Sequence, residues 1–321
     1  MDARKTIMSL GLALFCMTGC PGRSPGRITA VFWNLENFFD YFDGGSGESD
    51  MEFSSRGARH WTKARFGAKC DAVAKTLLWI GDEEGGLPDI FAVAEVENSF
   101  VLRRLKEATS LKKTDYRTVH YDSPDPRGID CALLYRASRL ELISSSPCRV
   151  SAPGLATRDI LLCLFRTVEG GDSLAVMVNH HPSKYGEETD WRREVAVSRL
   201  KELSDSLSAA GWGRRVALGD FNDTPDNPLF GNLVPSLSLC VSSPGSHRGS
   251  IRFNGEWEQI DLCFVSPALL AASRFRAVPV PFLTERDAAH SGDRPLRTYT
   301  GPRYLGGVSD HLPIVVEVAV E

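Results

Sequence analysis

Eight short apolar runs, rich in β-branched residues and spread along most of the chain, constrain its fold more than any other feature. They occupy 28–33, 90–93, 131–135, 160–165, 174–178, 216–218, 260–265 and 314–320. Each has the length and composition of a strand. Several are apolar on both faces, so neither face can be left to water, and such strands lie in layered α/β architectures with something packed on each side. Between the first two runs, Thr62 is placed to cap a helix in which Phe66, Cys70, Val73, Leu77 and Ile80 recur at helical spacing, with Gly81 as its stop. Ala196, Leu200, Leu203 and Leu207 predict a second helix of the same kind.

The N-terminal segment has a different character. Arg4 and Lys5 precede an uncharged, mostly apolar run over 7–17, too short to span a bilayer but right for the core of a secretory signal. Residues 1–19 are therefore expected to direct export. Met17-Thr18-Gly19-Cys20 resembles a bacterial lipoprotein processing site, which implies that Cys20 is lipidated and tethers the chain to a membrane of the cell envelope. Ordinary cleavage, leaving a periplasmic or secreted protein, is the alternative. Residues 20–27 then form a flexible tether, and 28–321 are long enough for one large α/β domain. No second long apolar stretch follows, so no transmembrane helix is expected.

Composition narrows the chemistry only slightly. The net charge of −4 demands no nucleic acid, and Arg103-Arg104 and Arg192-Arg193 are expected on solvated helix faces. Cys131, Cys163 and Cys263 lie inside strand-like runs, as buried thiols do, whereas Cys148 and Cys240 are freer to pair in an oxidising compartment. The cysteine spacing has no zinc pattern.

Polar residues at the ends of the apolar runs carry the functional signal. Asp220 and Asn222 follow the run at 216–218, two residues apart, so their side chains point the same way. A carboxylate that orients water beside an amide that holds an anionic oxygen suits phosphate-ester hydrolysis; turn chemistry is the alternative for an isolated Asp-x-Asn. Asn34 and Glu36 follow the first run, Glu95 the second, and His180 the run at 174–178. Asp261 opens another, and Asp310-His311 precedes the last. A cap, a salt bridge or a satisfied histidine would explain any one of these. Polar groups beside buried strands are costly unless paired or bound to a metal, so six such stations call for a shared explanation.

The ordered set resembles the endonuclease/exonuclease/phosphatase superfamily over nearly the whole mature chain. The pieces are Trp33-Asn34-Leu35-Glu36-Asn37, Ala94-Glu95-Val96-Glu97-Asn98, Arg127-Gly128-Ile129-Asp130, Asn179-His180-His181-Pro182-Ser183, Gly219-Asp220-Phe221-Asn222, Ile260-Asp261 and Ser309-Asp310-His311. Ala94 stands where Gln is usual, and His181 where Trp is common. The resemblance implies a four-layer α/β sandwich, two packed mixed β-sheets flanked by helices. It also implies a metal-dependent phosphodiester hydrolase, a nuclease first. A phospholipid or inositol phosphate hydrolase is the alternative among enzymes, and an inactive surface-anchored binding module the alternative outside them.

Carried onto this chain, the resemblance implies Mg²⁺ or Mn²⁺ held principally by Glu95, with Asn34, Asp310 and Glu36 in or near its shell. Asp220 orients or deprotonates the attacking water, Asn222 holds developing charge, Asp261 fixes the ring of His311, and His180 faces the phosphate. Arg127 adds a bidentate phosphate contact, or forms a loop salt bridge. Nucleic acid is the expected substrate and no obligate protein partner is implied. Glu48, Asp50 and Glu52, in the Gly- and Ser-rich stretch 40–59, are expected to repel polyanions near the site unless that loop folds away.

Overall fold

Two parallel strand pairs, each closed by a helical crossover, organise the chain. The computed structural model describes residues 26–44, 49–184, 190–243 and 245–320; the predicted signal segment, Cys20 and most of the tether lie outside them. The first nine strands are β1 (Arg27–Phe38), β2 (Ile90–Val96), β3 (Tyr116–His120), β4 (Asp130–Arg136), β5 (Leu140–Cys148), β6 (Ile160–Thr167), β7 (Ser173–His180), β8 (Arg215–Asp220) and β9 (Ser238–Leu239). The others are β10 (Ile251–Phe253), β11 (Glu256–Glu258), β12 (Asp261–Val265), β13 (Arg274–Ala277), β14 (Thr284–Arg286), β15 (Asp293–Pro295), β16 (Tyr299–Thr300), β17 (Arg303–Tyr304) and β18 (Ile314–Ala319). The helices are α1 (Lys63–Glu83), α2 (Ser99–Glu107), α3 (Asp190–Ala209) and the short α4 (Pro267–Leu270).

One six-stranded sheet runs β13-β18-β1-β2-β4-β3 and the other β5-β6-β7-β8-β12-β9, while β10-β11, β14-β15 and β16-β17 are separate two-stranded ribbons. Both large sheets are mixed. β1 and β2 are parallel, with α1 between them in sequence, and β7 and β8 are parallel, with α3 between them. A parallel pair needs such a crossover.

Alternation along each strand distributes its side chains to different layers. In β1, Ala30 and Phe32 face Val176, Val178, Val216 and Leu218 of the opposite sheet, while Val31 and Trp33 pack with Phe66, Val73 and Leu77 of α1. On the other side, Ala175, Met177 and Ala217 meet Ala196, Val197 and Leu200 of α3. Three apolar seams thus separate four layers, the predicted α/β sandwich. No helix among the described residues is long and apolar enough to cross a membrane.

Several local expectations need correction. Thr62 does cap α1, accepting from Arg65 N, but Gly81 does not stop it. The helix continues to Glu83, and Gly81 is buried where a Cβ would lie 3.1 Å from Leu87 Cδ2, so the glycine serves packing. Edge strands β3 and β5 escaped notice because exposed polar residues, Arg117 and Thr118 in one and Glu141 and Ser144 in the other, interrupt their apolar pattern. Cys148 and Cys240 are buried free thiols, like the other cysteines among the described residues. Arg193 is not solvated: its side chain is buried and its Nε lies 3.1 Å from Asp223 Oδ2.

The acidic loop is tied down rather than projecting. Asp50 is buried and accepts from Gly44 N at 2.9 Å, and Glu52 pairs with Arg59 at 2.7 Å; Glu48 lies outside the described residues. Asp50 sits with Asp40 and Glu97 in a buried carboxylate trio. There Glu97 accepts from Asp40 N at 2.7 Å. Burial first, and the Asp40 and Asp50 carboxylates after it, push Glu97 up from 4.5 to about 8. Folded Glu97 therefore keeps its proton across a range where an unfolded glutamate has lost it, and this group's contribution to stability falls as pH rises through that range.

Two outcomes follow from these contacts. Glu97→Gln, which keeps the carbonyl acceptor and removes the titration, should flatten the decline of thermal midpoint between about pH 5 and pH 9; parallel midpoint curves for variant and parent would refute the assignment. At Gly219, a Cβ would stand 2.1 Å from the carbonyl oxygen of Asn179, its partner on β7. Gly219→Ala should cost about 1–3 kcal/mol in denaturant unfolding, and unchanged stability would show that β7 and β8 can separate freely.

Candidate active site

Strand register assembles the polar stations. At the end of the second sheet His180 pairs with Asp220 across β7–β8, and Asp220 with Asp261 across β8–β12, so three predicted residues stand in one lateral row. In the first sheet Asn34 pairs with Ala94, and Glu95 follows where the β2–β4 register shifts. The chain turns sharply here: Glu36, Asn37, Glu95 and Asn222 all have left-handed backbones, with φ of 45°, 51°, 61° and 51°. Asparagine tolerates this conformation but glutamate does not favour it. Hydrogen bonds from site residues hold the turns. Asn34 Oδ1 accepts from Glu36 N at 2.9 Å, Glu95 Oε2 from Asn37 N at 2.7 Å, and Asp220 Oδ1 from Asn222 N at 2.9 Å.

Asp220 is the hub. Its Oδ2 accepts from Asn34 Nδ2 at 3.0 Å and lies 3.7 Å from His180 Nε2 and 3.8 Å from His311 Nε2. The opposite ring nitrogen of His311, Nδ1, is 2.7 Å from Asp261 Oδ2. Ser309 steadies the last turn, donating to Asn34 O at 2.6 Å and accepting from His311 N at 3.0 Å.

Burial and neighbouring charges together set the charge states of these groups. Asp220 is pushed up to about 7, chiefly by burial and further by Asp261, against the pull of His311. Burial alone would lower His311, but the Asp261 and Asp220 carboxylates outweigh it and raise the ring well above its usual range. His180 is lowered well below that range by burial, then by Arg158 and Arg127. One imidazole is thus held charged and the other neutral. Arg158, buried beneath the His180-His181 pair, donates to both of their backbone carbonyls and to Asp125 Oδ2.

The remaining predicted ligands lie on the first sheet's side. Glu95 Oε1 is 3.8 Å from both His180 Nε2 and Arg127 Nη1. Arg127, with its side chain 40% exposed, also lies 3.5 Å from Asp125 through Nε, so the expected loop ion pair forms while the head group stands beside Glu95. Glu36 Oε1 accepts from Arg297 Nε at 2.8 Å and its Oε2 from Thr298 N at 3.0 Å, while Arg297 Nη2 reaches Asp310 Oδ2 at 3.0 Å. Burial and then Asp310 push Glu36 up to about 7. Lys69 lies beneath, donating to Glu36 O at 2.7 Å and Thr298 Oγ1 at 2.9 Å.

Among the described residues, the groups of acids and histidines close enough to hold an ion are Asp220-Asp261-His311, Asp40-Asp50-Glu97 and His120-Asp122-Asp130. Glu36, Glu95 and Asp310 form no such trio; Arg297 bridges Glu36 and Asp310. The donor set still fits a hard divalent cation. Glu36, raised by burial and then by Asp310, would be relieved by one, and carboxylate and amide oxygens are its preferred ligands.

The structure therefore gathers His180, Asp220, Asn222, Asp261, His311, Asn34, Glu36, Glu95, Asp310 and Arg127 at one end of the sandwich. Asn222 Nδ2 donates to His181 O at 2.9 Å, which commits one of its two amide hydrogens. Sequence reasoning missed Arg297 and Lys69. Lys69 was legible as a cation three residues after Phe66 on the buried face of α1, whereas Arg297 sits in an irregular segment with no period to betray it. A depression of about 660 Å³ beside Trp191 and Arg199 on α3 touches none of these residues.

Known proteins share this fold. Nocturnin of Xenopus laevis is 28% identical over 169 residues, spanning 49% of this chain and 41% of nocturnin; the chain thus covers under half the length of that relative. An endonuclease/exonuclease/phosphatase family protein from Bacteroides thetaiotaomicron shares the fold at a TM-score of 0.60 and 18% identity, over 93% of this chain and 99% of that one. A mannosyl-6-phosphatase from the same organism does so at 0.58 and 19%, over 91% and 99%. The human Nocturnin catalytic domain with bound sulfate anion does so at 0.56 and 18%, over 93% and 96%. The model of the Endonuclease/Exonuclease/phosphatase family matches residues 29–320, and with that span the chain belongs to this family of metal-dependent phosphoester hydrolases.

Proposed function

We propose that the protein hydrolyses a phosphodiester, with a divalent cation, at the strand-end cluster around Asp220. One observation carries the reading: a single buried carboxylate oxygen is approached by Asn34, His180 and His311, with Asp261 behind His311. The two histidine distances exceed hydrogen-bond length, so neither ring is committed to the carboxylate, and a water or a phosphate oxygen can bridge them from the side. Asp220 takes a proton from the attacking water as the new P–O bond forms opposite the P–O bond that breaks. A base held near neutrality suits that transfer. His311, kept charged by Asp261, donates to a phosphate oxygen or returns the proton through Asp220. Neutral His180 and the uncommitted amide hydrogen of Asn222 donate to the developing charge.

Glu95, Asn34 and Asp310 would hold the cation, with Glu36 at its edge. When bound, Mg²⁺ or Mn²⁺ neutralises phosphate charge and stabilises the leaving oxygen. Nucleic acid is the first substrate in this reading. A small phosphorylated molecule is the second, favoured by a cavity of about 160 Å³ beside Glu36 and in keeping with the name of the mannosyl-6-phosphatase relative. Export, with Cys20 lipidated, belongs to the same proposal on the strength of the N-terminal pattern alone.

With Mg²⁺ or Mn²⁺ present, His311→Ala and Asp220→Asn should each lower turnover of a simple phosphodiester by at least ~10²-fold, and chelation should abolish the parent's activity. Near-parental rates in both folded variants, or full turnover in excess chelator, would sink the mechanism. The mass of the mature N-terminus tests the anchor: an acylated peptide beginning at Cys20 is expected, and an unmodified one would remove it.

A further inference from the structure

The cavity beside Glu36 has a wall built by distant parts of the chain. The segment around Phe53 and Arg59 meets the β16–β17 ribbon there, and Glu36 and Arg297 form its side toward the candidate active site. Tyr299 Oη donates to Arg59 O at 2.9 Å, and the Phe53 and Tyr299 rings meet edge-on at 6.2 Å. The Arg59 guanidinium lies over both rings, at 5.6 and 5.5 Å, and donates to Gly301 O. Phosphoester hydrolysis as described above uses none of these contacts.

Size and charge limit what the cavity can take. Its volume of about 160 Å³ leaves room for one substituted ring rather than a stretch of duplex. A second phosphate would find each guanidinium already facing a carboxylate, Arg59 with Glu52 and Arg297 with Glu36 and Asp310. A nucleobase would stack on an open aromatic face, but Phe53 and Tyr299 are buried and covered by Arg59. Guanidinium donors, the Thr300 hydroxyl and carboxylate and carbonyl acceptors on one small wall suit a ring bearing several hydroxyls.

We propose that this cavity is a subsite for a sugar ring esterified to the scissile phosphate, with Arg59, Arg297 and Thr300 reading its hydroxyls. The subsite rests on the phosphoesterase reading. The ring could belong to a sugar phosphate other than a nucleotide or to the ribose of a nucleotide, and the two sources are separable.

The test compares kcat/KM of the full chain with Mg²⁺ on three diesters: methyl 4-nitrophenyl phosphate, which lacks hydroxyls, the 4-nitrophenyl ester of a hexose 6-phosphate, and a ribodinucleotide. Arg59→Met and Thr300→Trp, the second filling the cavity, should each cut kcat/KM on a sugar ester by ~10-fold or more, mainly through KM, as expected when hydroxyl contacts are lost. Turnover of the methyl nitrophenyl ester should stay within about twofold. Loss on the hexose ester alone would identify sugar phosphates other than nucleotides, loss on the dinucleotide alone the ribose of a nucleotide, and loss on both the ring in general. Equal effects on all three esters, or none, would overturn the subsite while leaving the phosphoesterase reading intact. If the parent fails to cleave even the methyl nitrophenyl ester with metal, that reading falls and the subsite with it.

Discussion

The two halves of the site are joined by the His311–Asp261 contact at 2.7 Å and by a hydrogen bond from Asn34 Nδ2 on the first sheet to Asp220 Oδ2 on the second, at 3.0 Å. In each, both partners are buried, so the bond replaces contacts that water would otherwise make and cannot be lost cheaply. The lateral row His180-Asp220-Asp261 exists within one sheet whatever the other does. Glu95, Glu36 and Asp310 belong to the other sheet and its flanking turns. Only where β1 and β8 meet across the central apolar seam do these groups share one pocket. Spacing between the sheets, set by Phe32, Ala94, Val178 and Leu218 in that seam, therefore controls the chemistry at its end.

What could be read beforehand follows from which features leave a periodic or costly mark. Strands buried on both faces announced themselves through unbroken apolar runs, and the polar residues closing them were conspicuous because burial penalises them. That is why Glu95, His180, Asp220, Asp261 and His311 were legible as a set, with the superfamily resemblance supplying their order. β3 and β5 were not, since an edge strand needs only one apolar face and tolerates serine and arginine on the other. Gly81 misled because glycine near a helix end fits either a stop or a close contact, and only the position of Leu87 decides between them. Asp50 and Glu52 misled because composition counts charges without their partners.

Arg297 illustrates a different limit. It is half-exposed, lies in an irregular segment and acquires meaning only from Glu36 and Asp310, which reach it from opposite ends of the chain. Its position makes it a built-in counter-cation among the carboxylates. Together with Lys69 beneath, it lets several acids share a nearly buried space without the full repulsion that burial would otherwise bring. Arg158 does comparable work below the His180-His181 pair, fixing two carbonyls so that one imidazole is presented at a set depth.

The contacts that complete the site also bear on the order of folding. Asn34 meets Asp220 across 186 residues of chain, Arg297 meets Glu36 across 261, and Ser309 meets Asn34 across 275. Closing loops of that length yields nothing until the intervening layers are in place. The β1–β2 and β7–β8 units can each form around their own helix, but neither contains a working constellation. Catalytic competence thus arrives only with docking of the completed sheets, so that partly folded chains, though rich in native secondary structure, are chemically silent.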